Sequence, residues 1–138
     1  MKKISFLLLI CIVATGCQIW MPDLTIPEDF DTLDEAWIWV STELEYMEQS
    51  DWWHPAKVYQ EGGGSCMGFS TLFAYFARDL GYEPEIVLWH AANHSLVKID
   101  GVLYEPQVYG MYYIYLEGGY TTVSLEYVEK IGRMPNGL

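Results

Sequence analysis

Three residues with complementary chemistry lie within about 40 positions of one another: a cysteine, a histidine and a glutamate. Cys66 ends a Gly-Gly-Gly-Ser-Cys run directly before a helical stretch, where the helix dipole and unpaired backbone N–H groups favour the thiolate. A thiol nucleophile needs a base within hydrogen-bond reach, and the base needs a partner that fixes its ring. His94 is the candidate base and Glu105 the candidate orienting acid. Together they predict nucleophilic attack on a carbonyl group.

The sequence between His94 and Glu105 predicts a β-hairpin. Asp100-Gly101 is among the strongest short-range signals for a two-residue turn between strands. Counting outward from this turn makes Glu105 a diagonal neighbour of His94 on the same face of the sheet, within reach of a glutamate side chain. Pro106 is the weak point of this prediction. It cannot donate to the ladder, and a bulge there would move the two side chains to opposite faces.

The surrounding elements predict an α+β domain in which the helix that bears Cys66 packs on an antiparallel β-sheet. A capping box at Thr32 and Glu35 begins an amphipathic helix over residues 33–48. A second helix runs from about Cys66 and stops near Gly81. A sheet of four or five strands follows. The predicted strands, of which the last two form a second hairpin, are 85–90, 94–99, 102–105, 112–116 and 120–123, and a short helix over 124–131 closes the domain.

The first residues predict export and a lipid anchor. Lys2 and Lys3 precede an apolar run over 4–13 and small residues before Cys17, which is the pattern of a secretory signal peptide. The run is shorter than the roughly 20 apolar residues that a membrane span needs. The small-small-Cys ending resembles the lipobox of bacterial lipoproteins, in which the cysteine after the cleavage point is lipidated. An ordinary cleaved signal or a retained anchor is the alternative.

Removal of this signal would leave Cys66 as the one thiol of an exported domain. Cys11 would be discarded and Cys17 would carry the lipid. A single cysteine in an oxidising compartment has no disulfide partner and is a candidate free thiol, and a buried cysteine that acts as a small hydrophobe is the alternative. We therefore expect a lipid-anchored protein of the bacterial cell envelope. The predicted division is 1–16 signal peptide, 17–30 tether and 31–138 folded domain.

The charge of the chain argues against nucleic acid as a partner. The net charge is −12, and nine acidic residues lie between Glu28 and Asp51, most of which we assign to a solvated helix face. His90 and His94 could suggest a metal site with Cys66, but no fourth ligand presents itself and zinc sites use three or four. We expect no metal and no cofactor. His90 is also the alternative to His94 as the base.

Two stretches of the chain resemble the bacterial transglutaminase-like superfamily. They read GGGSCMGFSTLFAYFARDLGYEPEIV, residues 62–87, and NHSLVKIDGVLYEPQ, residues 93–107. Members of that superfamily have a Gly-x-Cys helix start, an A-R-x-L-G-y helix end, a histidine strand, an x-D-G-x-x-Y hairpin and an acid followed by proline. The resemblance covers about residues 60–107 and depends on the order and spacing of these motifs rather than on any one of them.

The resemblance implies a papain-like transglutaminase core and a thiol enzyme that acts on amide or peptide bonds of a protein or peptide substrate. Cys66 would be the nucleophile, His94 the base and Glu105 the orienting acid, although the superfamily usually has aspartate at that last position. Water would make the protein a peptidase or amidase, and an amine acceptor would make it a transglutaminase.

The resemblance leaves further assignments open. Gln60 stands six residues before Cys66, a spacing similar to that of the oxyanion glutamine of papain-like proteases, with a surface polar residue as the alternative. The rival function is a catalytically inactive module that keeps the fold and binds a protein or cell-wall partner. A cell-wall peptidase of the other bacterial papain-like kind would have an aspartate before the cysteine and a longer gap to the histidine, and it ranks lower.

Overall fold

The computed structural model describes residues 25–132, so the predicted signal peptide and the predicted lipidated Cys17 lie outside the described residues. The helices are α1 (Leu33–Glu43), α2 (Pro55–Glu61), α3 (Cys66–Asp79) and α4 (Leu125–Ile131). The strands are β1 (Glu45–Tyr46), β2 (Gly63–Gly64), β3 (Glu85–Trp89), β4 (His94–Ile99), β5 (Val102–Tyr104), β6 (Tyr112–Tyr113) and β7 (Thr121–Ser124). Within residues 25–132, no helix has the length and apolarity to cross a membrane.

The main sheet has five antiparallel strands in the order β6-β5-β4-β3-β7, with β4 in the centre. The predicted turn at Asp100-Gly101 connects β4 to β5, and its two φ angles of 50° and 83° are those that a type I′ turn requires. Ile99 pairs with Val102, as counting from the turn predicts. The ladder ends at Tyr104, before Pro106, which has no N–H to donate.

The predicted second hairpin, between strands 112–116 and 120–123, is wrong. β6 pairs with β5 at one edge of the sheet, and β7 pairs with β3 at the other edge. The segment between them crosses one face of the sheet, where Leu116 is buried and Trp89 Nε1 donates to the Glu117 carbonyl at 2.7 Å. The chain still turns after Leu116, where the Gly119 N–H donates to the Leu116 carbonyl at 3.1 Å, but burial of Leu116 holds this segment against the sheet.

Helix α1 begins as predicted and ends earlier than predicted. The hydroxyl of Thr32 accepts from the Glu35 N–H at 3.2 Å, and the Glu35 carboxylate accepts from the Thr32 N–H at 3.2 Å, which completes the capping box. The helix ends at Glu43 rather than at residue 48. The following residues are extended and form β1, whose backbone pairs with a distant segment of the chain.

That distant segment is the glycine run before Cys66. β1 and β2 form a two-residue parallel ladder, and Glu45 N donates to Gly62 O at 2.9 Å. A Cβ atom at Gly63 would lie 2.2 Å from the Glu45 carbonyl oxygen, so the position has no room for a side chain. The glycine run is therefore needed for close backbone approach, and it fixes the chain directly before Cys66.

Helix α2 has no counterpart among the predicted elements. His54 caps it, since Nδ1 accepts from the Ala56 N–H at 3.2 Å, and Pro55 occupies its first position, where a missing N–H costs nothing. The helix lies close to α3. A Cβ atom at Gly68 would stand 3.2 Å from a methyl group of Val58, so the glycine in α3 permits this approach.

Helix α3 lies at the centre of the core and packs against the sheet. Its apolar face follows the predicted three- and four-residue spacing, and it meets the core-facing residues of β3 and β4. Each fully buried large apolar side chain contributes about 2 kcal/mol to the free energy of unfolding. The prediction of an α+β fold with an antiparallel sheet is confirmed. The buried contacts of this layer include Phe69, Leu72, Phe73 and Phe76 of α3 and Ile86, Val97 and Ile99 of the sheet.

Candidate active site

Cys66 is the first residue of α3, as the sequence predicts, and it is partly exposed. Ser65 occupies the N-cap position, although its side chain makes no capping hydrogen bond. The first turn of a helix leaves backbone N–H groups without helical partners, and the 14-residue helix directs its positive end at this position. The thiol therefore lies where a negative charge is favoured.

His94, the first residue of β4, connects the thiol to the carboxylate. Its Nε2 lies 2.6 Å from Glu105 Oε2, and its ring also hydrogen-bonds the Cys66 side chain. Because Nε2 faces Glu105, Nδ1 is the ring nitrogen left for the thiol. The structure thus brings the three predicted residues together, and the contact between His94 and Glu105 forms beyond Tyr104, the last paired residue of β5.

Glu105 is held at both its side chain and its backbone. The side chain is buried, and Oε1 accepts from the Gln107 N–H at 3.2 Å while Oε2 faces His94. The backbone N–H of Glu105 donates to the Met111 carbonyl at 3.0 Å. Its carbonyl accepts from the indole N–H of Trp37 at 2.7 Å. These contacts replace the strand pairing that ends before Pro106, and they fix the carboxylate toward His94.

The charges of the thiol and the imidazole stabilise each other. Burial raises the pKa of Cys66, but hydrogen bonds from His94 and Ser95 and the charge of His94 outweigh it, so the net pKa is lowered. The pKa of His94 is raised to about 10 by hydrogen bonds to Cys66 and then to Glu105, against the effect of burial. Both directions describe one coupled pair, in which the thiolate and imidazolium forms favour each other.

Two buried serines, Ser70 and Ser95, lie next to these residues in the structure and were not among the predicted site residues. Ser70 Oγ and Ser95 Oγ are 2.9 Å apart, and hydrogen bonding from the side chain and the backbone of Ser95 acts to lower the pKa of Cys66. Ser70 follows Cys66 by four residues and so shares its helix face, a spacing that could have indicated it. Ser95 directly follows His94. Trp37 is the third site residue that we missed, since its spacing predicts only a core position.

Gln60, the predicted oxyanion residue, precedes Cys66 by six residues. Gln60 is in the last turn of α2, and its side chain is exposed. Its oxyanion role stays a prediction. The backbone N–H of Cys66, at the start of α3, is an oxyanion donor of a second kind.

His90, the alternative base, contacts a different strand. It lies in a 3₁₀ turn between β3 and β4, and its Nε2 is 2.9 Å from Thr121 Oγ1 of β7. The histidine that hydrogen-bonds the thiol is His94. Among the described residues 25–132, no three or more His, Cys, Asp or Glu side chains are grouped to hold a metal ion.

Comparison with known proteins identifies no relative. No protein-family model matches the chain, and neither a curated protein nor a solved structure matches it. The geometry of the site is therefore the basis for a function, which is proposed below.

Proposed function

We propose that this protein is a transglutaminase-like thiol enzyme that acts on amide or peptide bonds through Cys66, His94 and Glu105. One observation carries the proposal. The buried Glu105 carboxylate lies 2.6 Å from His94 Nε2, and hydrogen bonding between His94 and the partly exposed thiol at a helix start raises the pKa of His94 and lowers that of Cys66. A nucleophile, a base and an orienting acid in this order are the parts that acyl transfer through a thiol requires.

The reaction follows from the roles of these groups. The Cys66 thiolate attacks the carbonyl carbon, an S–C bond forms, and the C=O electron pair moves to the oxygen. Backbone N–H groups at the start of α3 are the proposed donors to this oxygen. The imidazolium of His94 then gives its proton to the leaving nitrogen as the C–N bond breaks, which leaves a thioester. Water or an amine loses a proton to His94, attacks the thioester and releases the thiolate.

Glu105 keeps the His94 ring in one orientation through these steps. Its carboxylate accepts from Nε2, which leaves Nδ1 directed to the thiol and stabilises the imidazolium form. The α+β fold, with α3 packed on an antiparallel sheet, is compatible with the papain-like core that we propose. A protein or peptide is the proposed substrate. The lipid anchor at Cys17 and a place at the bacterial cell envelope are part of the same proposal.

Thiol reactivity tests this proposal without a known substrate. An ordinary thiol with a pKa near 8.5 is only about 0.3% thiolate at pH 6. We expect iodoacetamide to alkylate Cys66 of the full protein at pH 6 at least about tenfold faster than free cysteine, with peptide mapping to assign the adduct. His94→Ala should remove this advantage. The matched control is His90→Ala, which removes a histidine that faces Thr121. Ordinary reactivity of Cys66 that His94→Ala leaves unchanged would refute the catalytic role.

A second measurement separates the two outcomes of the thioester. The protein is incubated with a mixture of synthetic peptides and a fluorescent primary amine, and products are identified by mass spectrometry. Gain of water identifies hydrolysis, and gain of the amine identifies acyl transfer. Cys66→Ala should abolish both products. Products that persist in this variant would arise from another source and would contradict the proposal.

The rival function, a non-catalytic binding module, has one surface in its favour. The segment after Glu105 exposes several large apolar side chains, and Ile114 and Tyr115 are 95% and 77% exposed. Exposed apolar side chains of this kind are typical of interaction surfaces. In that case iodoacetamide would react with Cys66 at an ordinary rate, and replacing Ile114 and Tyr115 by serine would abolish capture of the partner.

A further inference from the structure

Two buried hydroxyl groups join α3 to β4 beside the proposed nucleophile. Among the described residues, the buried residues of polar or charged type are Ser70, Thr71, Ser95 and Glu105. The hydroxyl of Thr71 donates to the Gly68 carbonyl of its own helix at 3.0 Å, as hydroxyls in helices commonly do. Those of Ser70 and Ser95 instead meet each other across the helix–sheet interface at 2.9 Å. Alanine at both positions would avoid burying two hydroxyl groups.

We propose that Ser70 and Ser95 form a hydroxyl relay that directs a hydrogen bond at the Cys66 sulfur. This inference rests on the proposed function, in which Cys66 acts as a thiolate. A serine hydroxyl has one hydrogen. If Ser95 gives its hydrogen to the sulfur, the Ser70 hydroxyl must give its own hydrogen to Ser95 Oγ. The direction of the relay is then fixed as Ser70 to Ser95 to Cys66.

The position of each serine fits this role. Ser70 lies one turn along α3 from Cys66, and Ser95 directly follows His94 on the central strand. Burial raises the pKa of Cys66, and the hydrogen bond from His94 lowers it. The hydrogen bonds of Ser95 lower this pKa further. Ser70 contacts Ser95, so it is a positioning residue that acts through Ser95.

The test is the apparent pKa of Cys66, taken from the pH dependence of iodoacetamide alkylation of the full protein without substrate. A hydrogen bond to a charged group and the free energy of one pKa unit are of similar size, so Ser95→Ala should raise this pKa by about 1 unit. Ser70→Ala should raise it in the same direction by about half a unit. The double variant should match Ser95→Ala, because the effect of Ser70 passes through Ser95.

Two further variants separate the relay from a general effect of packing. Thr71→Val removes the neighbouring buried hydroxyl, which faces Gly68, and should leave the pKa of Cys66 unchanged. Ser95→Thr keeps a hydroxyl on a strand, where β-branched residues fit, and should retain the low pKa. Circular dichroism and thermal unfolding verify that each variant is folded. If Ser95→Ala does not fold, Ser70→Ala against Thr71→Val decides the question.

The outcomes distinguish the relay from the catalytic proposal. Equal shifts in Ser70→Ala and Thr71→Val, or an additive double variant, would overturn the relay. If His94→Ala raises the pKa of Cys66 while neither serine variant does, the relay is wrong and the proposed function stands. If His94→Ala also has no effect, the proposed function itself fails.

Discussion

Replacing Glu105 by glutamine keeps the shape of the side chain and removes its charge and one acceptor. Both carboxylate oxygens accept hydrogen bonds, Oε2 from His94 Nε2 at 2.6 Å and Oε1 from the Gln107 N–H at 3.2 Å. A glutamine side chain offers one acceptor oxygen and one NH₂ donor group. The glutamine oxygen can therefore accept from only one of the two N–H groups, and the other N–H group will face the NH₂ donor of the glutamine.

The size of the effect follows from what raises the pKa of His94. That pKa is about 10, raised first by the hydrogen bond to Cys66 and next by the hydrogen bond to Glu105, whose charge adds to the effect. Removing an adjacent opposite charge shifts a pKa by about 1–3 units. The hydrogen bond to a charged group is worth about 1.5–3 kcal/mol, and about 1.36 kcal/mol corresponds to one unit. We expect Glu105→Gln to lower the pKa of His94 by about 1–2 units.

NMR titration of the imidazole ¹⁵N signals measures this pKa directly. The chain has three histidines, so His54 and His90 provide internal references in the same spectra. The matched control is Glu85→Gln. It removes a carboxylate that is paired with Lys98 at 3.3 Å on the neighbouring strands, and we expect it to leave the pKa of His94 unchanged.

The stability of the variant has a defined pH dependence. Because folding raises the pKa of His94, the protonated imidazole stabilises the folded state. This stabilisation is complete below the pKa of His94 in the unfolded chain, near 6.5, and is lost as the pH rises toward 10. The difference in free energy of unfolding between wild type and Glu105→Gln should therefore shrink from pH 6 to pH 10, as measured by urea unfolding. If the pKa of His94 in Glu105→Gln stays within about 0.3 units of the wild-type value, Glu105 is not its charged partner and the assignment is refuted.

Two substitutions test the backbone supports of the site. Trp37→Phe removes the N–H that donates to the Glu105 carbonyl at 2.7 Å. We expect the free energy of unfolding, measured with urea, to fall by about 1–3 kcal/mol and the pKa of His94, measured by NMR, to be lower. A loss of stability with an unchanged pKa of His94 would mean that Trp37 does not position Glu105. Gly63→Ala places a Cβ atom 2.2 Å from the Glu45 carbonyl oxygen, and we expect a loss of about 1–3 kcal/mol and slower alkylation of Cys66. Gly62→Ala, at φ 70° with open space around it, is the control and should cost about 1 kcal/mol with unchanged alkylation; equal alkylation rates in both glycine variants would contradict a role of the close approach.

Local signals predicted the parts of the site that depend on local structure. The capping box at Thr32 fixes the start of α1, and the spacing of the large apolar residues predicts core positions of α3, a helix that is buried on nearly all sides. The Asp100-Gly101 turn fixes the register of β4 and β5 because a two-residue loop allows one pairing. The relation between His94 and Glu105 could therefore be predicted from the residues between them.

Features that depend on distant contacts could not be predicted in the same way. Helix α1 ends early because β1 pairs with the glycine run, which is a tertiary contact. The glycines after Leu116 favour a turn, but the partner strands of β6 and β7 are chosen by the packing of the whole sheet. The contact of Trp37 with Glu105 spans 68 residues, and no local pattern indicates it.

The two partners of the proposed nucleophile differ in how firmly the sheet holds them. His94 belongs to the central strand, which has hydrogen-bonded neighbours on both sides, whereas Glu105 follows β5 and is tied to Met111 just before the two-residue edge strand β6. Edge segments open by local fluctuations at lower free energy than central strands, so backbone amides near Glu105 should exchange with solvent deuterium faster than those of β4. Such an opening would release Glu105 while the thiol and the imidazole stay in place, so Glu105 is the part of the proposed triad that local fluctuations disconnect first.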